Sequence, residues 1–164
     1  MRKLTFSLAL LSLILTGCAG NLGSTRTNYG HSVKNVEDPS NFTKIAYVDY
    51  LSPDYMKGER RATAELKMDS PDFSGIPENG YVKINISTGD IDTADSKWWT
   101  AIIVNSKGSK VAQKTGRPSV ADYKTINGYT SWSNSFLMRS PIKPPFKVYV
   151  IDEISKSRWG YEVM

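Results

Sequence analysis

Three carboxylates lie close together in one short, turn-prone stretch of the chain. Asp90, Asp92 and Asp95 fall within residues 89–95. Clustered carboxylate oxygens are the ligands that Ca²⁺ prefers. An EF-hand loop, however, needs Gly at its sixth position and Glu at its twelfth, and counted from Asp90 these positions hold Asp95 and Ala101. We therefore favour a polar loop in which the Asp side chains cap turns, and keep a cation site as the alternative.

Histidine, the usual general base and a common zinc ligand, occurs once, at His31. It falls in a segment that the composition predicts to lie outside the folded domain. A Ser-His-Asp triad and a histidine-rich zinc site both need a histidine inside the domain. The sequence therefore predicts that His31 is an ordinary solvated residue and that the protein is not an enzyme. A pair of facing carboxylates remains a possible hydrolytic site, but none of the 16 acids is singled out.

Aromatic side chains are the best candidates for a binding surface. The chain contains 9 Tyr, 5 Phe and 4 Trp. Adjacent Trp98 and Trp99 would point to opposite faces of a strand, so that one joins the core and the other either packs against the second sheet or faces water. Tyr129 and Trp132 lie in an irregular stretch, where binding residues often collect. These four residues form the predicted surface for a protein partner or for sugar rings, unless they mostly fill the core.

The beginning of the chain has the pattern of an export signal. Residues 1–3 carry two positive charges, and residues 4–16 are uncharged and rich in Leu. The apolar run is shorter than the ~20 residues that a membrane-spanning helix needs. A positive start followed by a short apolar run is typical of a secretory signal peptide.

The apolar run leads directly to Cys18, which is preceded by Leu15, Thr16 and Gly17. This motif resembles the lipobox of bacterial lipoproteins, in which a Leu stands three places before the cysteine with small residues between them. The resemblance covers the first 18 residues, and the remaining chain resembles no family. It implies cleavage after Gly17, a diacylglycerol on the Cys18 sulfur and an acyl group on the new amino terminus.

The acylated cysteine would be the only covalent attachment, and no other cofactor is expected. Several acyl chains together give a stable anchor, so a lipid bilayer is the first predicted partner. Ala19 stands where Asp would favour retention in the inner membrane, so the resemblance implies the outer membrane, with the domain facing the periplasm or the outside. Since Cys18 is the only cysteine, the folded domain has neither a disulfide nor a thiolate metal ligand.

The charge pattern does not favour a nucleic-acid partner. The formal net charge is +5, of which Arg2 and Lys3 lie in the predicted signal peptide. The other basic residues are scattered among acids, whereas nucleic-acid binding needs a concentrated basic stripe. The apolar fraction of 40% is typical of a chain that folds.

The composition divides the chain into three parts. Residues 1–17 form the signal peptide, which is cleaved. Residues 18–41 hold the acylated cysteine and a stretch rich in Gly, Ser, Thr and Asn, which predicts a flexible tether. Residues 42–164 form the folded domain.

The folded part reads as short strands separated by Gly, Pro, Asn and Asp. The predicted strands are 44–51, 62–68, 81–87, 98–104, 109–114, 135–139, 146–152 and 158–163. Residues 62–68 suit a helix equally, because Ala, Glu, Leu and Lys favour helices. A single helical turn is predicted at 118–123. Seven or eight short strands predict an all-β, antiparallel β-sandwich, with a small β-barrel as the alternative.

These features predict a membrane-anchored lipoprotein of the bacterial cell envelope whose β-sandwich is a non-enzymatic binding or assembly module. We expect an envelope protein as the partner. A glycan, such as peptidoglycan, held by exposed aromatic rings is the second hypothesis. A carboxylate-dependent hydrolase is the third.

Overall fold

The computed structural model describes residues 22–39, 43–126 and 129–164. Within these ranges no helix is long and apolar enough to cross a membrane. The strands are β1 (Thr25–Asn28), β2 (His31–Glu37), β3 (Lys44–Leu51), β4 (Tyr81–Thr88), β5 (Trp99–Val104), β6 (Lys110–Thr115), β7 (Asp122–Ile126), β8 (Tyr129–Arg139), β9 (Phe146–Asp152) and β10 (Arg158–Val163). The helices are α1 (Pro53–Lys67), α2 (Ile91–Ala94) and a 3₁₀ turn at Ser96–Trp98.

The strands form two antiparallel sheets that pack face to face. The six-stranded sheet has the order β1-β2-β10-β9-β5-β6, and the four-stranded sheet has the order β3-β4-β8-β7. No strand of one sheet pairs with a strand of the other, so the sheets do not close into a barrel. The predicted antiparallel sandwich is confirmed, and the barrel alternative is wrong.

One hydrophobic core fills the space between the sheets. Successive strand side chains face opposite sides, so alternate residues of β4 and β9 point inward. The largest buried rings belong to Trp99 and Trp159, whose centroids lie 5.4 Å apart. The buried core residues are Val33, Ala46, Val48, Tyr50, Val82, Ile84, Ile86, Trp99, Ala101, Ile103, Met138, Phe146, Val148, Val150, Trp159, Tyr161 and Val163.

All the predicted strands are present except 62–68, which forms the end of α1. Ser52 starts this helix, because its Oγ accepts a hydrogen bond from the Tyr55 N–H at 3.1 Å and Pro53 follows it. The helical propensity of Ala, Glu, Leu and Lys therefore decides the conformation. The predicted helical turn at 118–123 is wrong, because this stretch runs irregularly into β7.

Within the predicted tether, residues 18–41, the structure describes residues 22–39, and there the prediction of a flexible segment is wrong because the chain forms two strands. β1 and β2 form a hairpin whose turn residues, Tyr29 and Gly30, have φ values of 55° and 78°. Two residues with positive φ match the right-handed twist of paired strands. β2 also pairs with β10, so the hairpin extends the six-stranded sheet. Because β1 is entirely polar, hydrophobic periodicity gives no sign of it.

The β1–β2 hairpin lies against the edge strand β3. Asn28 Nδ2 donates to Asp49 Oδ1 at 3.0 Å, and the Arg26 guanidinium lies 4.3 Å from the centroid of the Tyr47 ring. Asp49 is buried and also accepts from Asn85 Nδ2 at 2.9 Å. An open edge strand invites pairing with other chains, so these contacts help to protect β3.

A buried ion pair links the two sheets. Lys44 Nζ on β3 lies 2.5 Å from Asp152 Oδ2 on β9, and the Asp152 side chain is fully buried. Asp152 also accepts hydrogen bonds from the Ile154 N–H at 2.9 Å and the Ser155 hydroxyl at 2.6 Å. Desolvation raises the pKa of Asp152, but the hydrogen bonds from Lys44, Ser155 and Ile154 outweigh it and hold the pKa below its usual value.

A second polar contact joins the two sheets through the edge strand β3. The Tyr161 hydroxyl on β10 donates to the main-chain oxygen of Ala46 on β3. Burial raises the pKa of Tyr161, so the hydroxyl stays protonated and remains a donor. Both contacts fix how the sheets are placed against each other.

We predict that Asp152→Asn lowers the free energy of unfolding by about 3–5 kcal/mol, because the largely buried Lys44 ammonium loses its counter-charge. Denaturant unfolding measures the change. Lys156→Gln is the control, since it removes a pair with Glu153 that is exposed and 3.2 Å apart. This control should change stability by less than about 1 kcal/mol. Equal losses in the two variants would contradict a special role for the buried pair.

We also predict that stability falls on acidification. The pKa of Asp152 is lowered in the folded protein. Its contribution is therefore complete above the unfolded-state pKa of about 3.9 and is lost as the pH falls through the folded-state pKa. Denaturant unfolding from about pH 6 to about pH 2 should show a smaller acid-dependent loss in Asp152→Asn than in the wild type. Identical losses would assign the acid dependence to other carboxylates.

Candidate functional site

The hairpin formed by β7 and β8 extends past the end of the four-stranded sheet. β8 pairs with β4 along residues 132–139, but its first residues pair with β7 alone. β7 itself pairs only with β8 within the described chain. Residues 122–125 of β7 are all exposed. The result is a two-stranded ribbon that reaches into solvent.

Two aromatic rings pack together on one face of this hairpin. The strand register pairs Tyr123 with Trp132, and their ring centroids lie 5.4 Å apart with planes tilted by 48°. Tyr123 is 67% exposed, and Trp132 is half-buried. The next pair on this face is Thr125 and Thr130, whose hydroxyl oxygens lie 3.2 Å apart. We call the Tyr123–Trp132 pair the aromatic platform.

A chain of side-chain hydrogen bonds holds the base of the hairpin. Asn134 Nδ2 on β8 donates to Ser119 Oγ at 2.9 Å, and Ser119 Oγ lies 2.8 Å from Ser96 Oγ. The Ser119 N–H donates to Asp95 Oδ1 at 3.1 Å. Ser96 is buried in the 3₁₀ turn. The sandwich therefore orients the platform through fixed polar contacts.

Asp90 and Asp95 cap turns, as the favoured interpretation predicts. Asp90 Oδ1 accepts from the Asp92 N–H at 3.1 Å, and Asp95 Oδ1 accepts from the Lys97 N–H at 3.1 Å. Desolvation raises the pKa of Asp95, but hydrogen bonds from Lys97 and Ser119 bring it below its usual value. In the part of the chain that the structure describes, no group of three His, Cys, Asp or Glu side chains is arranged to hold a metal ion. The alternative of a cation site at Asp90, Asp92 and Asp95 therefore has no structural support.

The adjacent tryptophans separate as predicted, one into the core and one toward water. Trp99 begins β5 and is fully buried, with its indole N–H donating to the Thr93 carbonyl oxygen at 2.9 Å. Trp98 ends the 3₁₀ turn and is 39% exposed, with Lys97 Nζ 5.0 Å from its ring centroid. Assigning Trp99 to a binding surface is wrong, because it packs against Trp159 in the core.

Of the predicted surface aromatics, Trp132 is the one that lies on the platform. Tyr129 begins β8, but its side chain is outside the described part of the structure. Among the described rings, Trp132 packs with Tyr123 and not with Trp98. The sequence did not indicate Tyr123, because its segment was assigned to a helical turn. The alternation of Tyr123 with Thr125 was the available signal for a strand.

The prediction that His31 is an ordinary solvated residue is wrong. It lies on β2, half-buried, with its ring edge-on to Tyr50 at a centroid distance of 4.8 Å. Nδ1 lies 3.3 Å from the main-chain oxygen of Met164. Within the described ranges, no serine hydroxyl and no Asp or Glu carboxylate hydrogen-bonds to the ring. The arrangement therefore lacks the hydrogen bonds of a catalytic triad.

A polar cleft of about 580 Å³ opens beside His31. Two acids, Asp54 and Glu78, and two cations, Lys57 and Lys143, line it. This cleft is one place where two acids share a cavity, as the carboxylate-dependent hydrolysis considered from the sequence requires; Glu37 and Asp38 line another. Ser52, also in the cleft, already accepts the first hydrogen bond of α1, so its hydroxyl serves as a helix cap.

Comparison with known proteins assigns no family to this chain. No protein-family model, no curated protein and no solved structure matches it. The geometry of the described residues and the pattern of the leader are therefore the basis for a function.

We predict that Asp95→Ala lowers the free energy of unfolding by about 1 kcal/mol, because the N–H groups of Lys97 and Ser119 lose their acceptor. Asp92→Ala is the control, because its side chain hydrogen-bonds to no described residue. It should change stability by less than about 0.5 kcal/mol. Thermal unfolding of the wild type should give the same midpoint with and without calcium. A calcium-dependent rise that Asp92→Ala abolishes would instead establish a cation site.

Proposed function

We propose that this protein is a lipid-anchored, non-enzymatic binding module of the bacterial cell envelope, and that the β7–β8 hairpin contacts a protein partner. The supporting observation is the aromatic platform, which lies where the β7–β8 ribbon leaves the end of the sheet, because Trp132 forms the last pair with β4 and the ribbon continues past it. Tyr and Trp are enriched among the residues that dominate binding energy at protein interfaces. The 67% exposure of Tyr123 leaves most of its surface available for burial against a partner.

The shape of the platform favours a protein over a sugar. Sugar rings stack best on a flat aromatic surface, whereas the planes of Tyr123 and Trp132 are tilted by 48°. A tilted pair offers no single flat surface to a sugar ring, whereas protein side chains can pack against rings at any angle. Both faces of the ribbon carry exposed residues, including Asp122 and Lys124, so a partner can surround it.

A glycan remains the second candidate because of the hydroxyl groups beside the platform. Thr125 and Thr130 lie next to the exposed Tyr123 ring on the same face. A ring face with adjacent hydroxyl donors and acceptors is suited to binding one sugar unit. Peptidoglycan is the envelope glycan that this candidate specifies.

The non-enzymatic proposal is supported by the contacts of the residues best suited to catalysis. His31 contacts the Tyr50 ring and the Met164 main chain, and Ser52 caps α1. Neither side chain is arranged as an activated nucleophile with its base.

Cys18 lies outside the described residues, so the sequence of the leader alone supports the membrane anchor. The lipobox resemblance around Cys18 supports acylation there, and Ala19 supports the outer membrane. More than one acyl chain is needed for an anchor that does not dissociate.

We predict that Cys18→Ser abolishes signal-peptide cleavage and incorporation of a fatty-acid label, because serine cannot form the thioether to diacylglycerol. The test follows the size of the product and its membrane fractionation in cells. Thr16→Ser is the control, since it keeps a small residue inside the motif and should be processed normally. Unchanged processing and fractionation of Cys18→Ser would contradict the anchor.

We predict that Tyr123→Ala and Trp132→Ala each weaken capture of the envelope partner by about tenfold or more, since hot-spot aromatics contribute about 2 kcal/mol or more. A photo-crosslinking amino acid at Thr125 of the full-length protein in living cells identifies the partner. The same probe at Leu66, an exposed residue of α1, is the positional control. Trp98→Ala tests an exposed tryptophan away from the hairpin.

Three outcomes separate the candidates. A protein adduct at Thr125 that Trp132→Ala removes and Trp98→Ala keeps would support the protein partner. Co-sedimentation of the wild type with purified peptidoglycan, lost in Tyr123→Ala, would support the glycan instead. No adduct and no co-sedimentation would contradict a binding role for the platform.

A further inference from the structure

One lateral side of the sandwich leaves strand edges unpaired. β7 pairs with residues 129–133 of β8, whereas β4 pairs with the opposite edge of β8 along 132–139. Residues 134–139 therefore have one edge without a neighbouring strand in the described structure. Across the sandwich from this edge lies β6, which ends the six-stranded sheet and pairs only with β5 in the described chain.

A groove of about 560 Å³ runs between these two edges. Its lining includes Ala112 and Gln113 of β6 and Leu137 and Met138 of β8. Leu137 is 42% exposed. Val111, Ala112 and Phe136 pack against the core but remain partly exposed. The apolar interior is therefore incompletely covered on this side. We call this space the edge groove.

The peptide groups along the edge groove are satisfied by side chains, which an added strand would have to displace. Lys114 Nζ donates to the Leu137 carbonyl oxygen at 2.7 Å, and the Ser135 N–H donates to Asn134 Oδ1 at 2.8 Å. In an antiparallel ladder, alternate residues direct both peptide groups to the same side. Ser135 and Leu137 therefore direct theirs into the groove, where an added strand would find them.

The charge of the edge groove selects the kind of strand that fits. Lys114 and Arg139 are the charged residues of its lining, which holds no acid. Neither side chain forms an ion pair with a described residue. In a second copy of the chain, β6 would bring Lys110 and Lys114 and no acid, so like charges oppose self-pairing through β6.

We propose that the edge groove accepts one extended, acidic segment of a partner protein, which adds to β8 as a strand in line with β7. Main-chain hydrogen bonds to Ser135 and Leu137 provide affinity, as in other cases of strand addition to a sheet edge. Apolar side chains of the segment cover Phe136, and its carboxylates pair with Lys114 and Arg139. The site is separate from the aromatic platform, so either one can fail without the other.

The test uses the full-length protein in detergent and a fluorescent ten-residue peptide of alternating Val and Glu. Fluorescence anisotropy should show saturable binding that weakens with added salt, and no binding of the same peptide with Lys in place of Glu. The double variant Lys114→Glu, Arg139→Glu should lose affinity for the acidic peptide by about tenfold or more and gain binding of the lysine peptide. Lys34→Glu, Lys67→Glu changes the net charge equally on exposed residues of β2 and α1, and should keep the wild-type preference.

Amide hydrogen exchange distinguishes strand addition from loose charge attraction. The acidic peptide should slow exchange at the Ser135 and Leu137 amides. Circular dichroism must show that the charge-reversed protein stays folded. Its binding of the lysine peptide in place of the acidic one is a second check that it is folded. The proposal is overturned by absence of binding up to about 1 mM peptide, by binding that leaves these amides unprotected, or by a dimer whose interface protects them. If no peptide binds, Lys114 acts only to block the edge of β8 against pairing.

Discussion

The contact between the inner faces of the two sheets decides where every other feature of the molecule can lie. With no cysteine beyond residue 18, the described domain depends on burial of apolar surface, centred on the packing of Trp99 against Trp159. The sheets are unequal, with six strands facing four. The two sheets therefore do not match strand for strand. The unpaired edges of the smaller sheet, along β3 and β8, must be protected or left available. The Lys44–Asp152 pair and the Tyr161–Ala46 hydrogen bond fix the relative position of the sheets, and thus also which edges are left over.

Those leftover edges are treated in different ways. At β3 the β1–β2 hairpin lies alongside, and Asn28 and Arg26 make specific contacts with it. At the second half of β8 the protection is a single lysine, Lys114, bonded to one carbonyl oxygen. At the first half, β7 pairs with β8, and the two strands continue past the end of the sheet from the exposed Tyr123 and the half-buried Trp132. The covered edge serves stability, whereas the lightly covered edge and the projecting one provide the surfaces to which we assign binding.

Sequence patterns identified the parts of the fold that follow from local alternation. β4 and β9 alternate apolar and polar residues and were predicted within a residue or two of their bounds. β1 is polar throughout, and only its pairing with β2 makes it a strand. The half-buried position of His31 involves a contact with Met164, which is 133 residues away, so no local sequence pattern could predict it. The residue type of Trp132 is enough to predict it for the site. The place of Tyr123 beside Trp132 and the open edge of the groove both depend on how far β7 pairs along β8, which the sequence does not indicate.

The early start of β1 has a consequence for the anchor that we propose. Six residues, 19–24, separate Cys18 from Thr25. Cys18 and Thr25 are seven residue steps apart, so at ~3.3–3.6 Å per residue the chain between them spans at most about 25 Å when fully extended. Acyl chains on Cys18 would thus keep the sandwich beside the lipid headgroups instead of letting it extend far from the membrane. The sandwich would then meet membrane-bound partners by diffusion along the leaflet, in two dimensions. Their effective concentration near it would therefore be high.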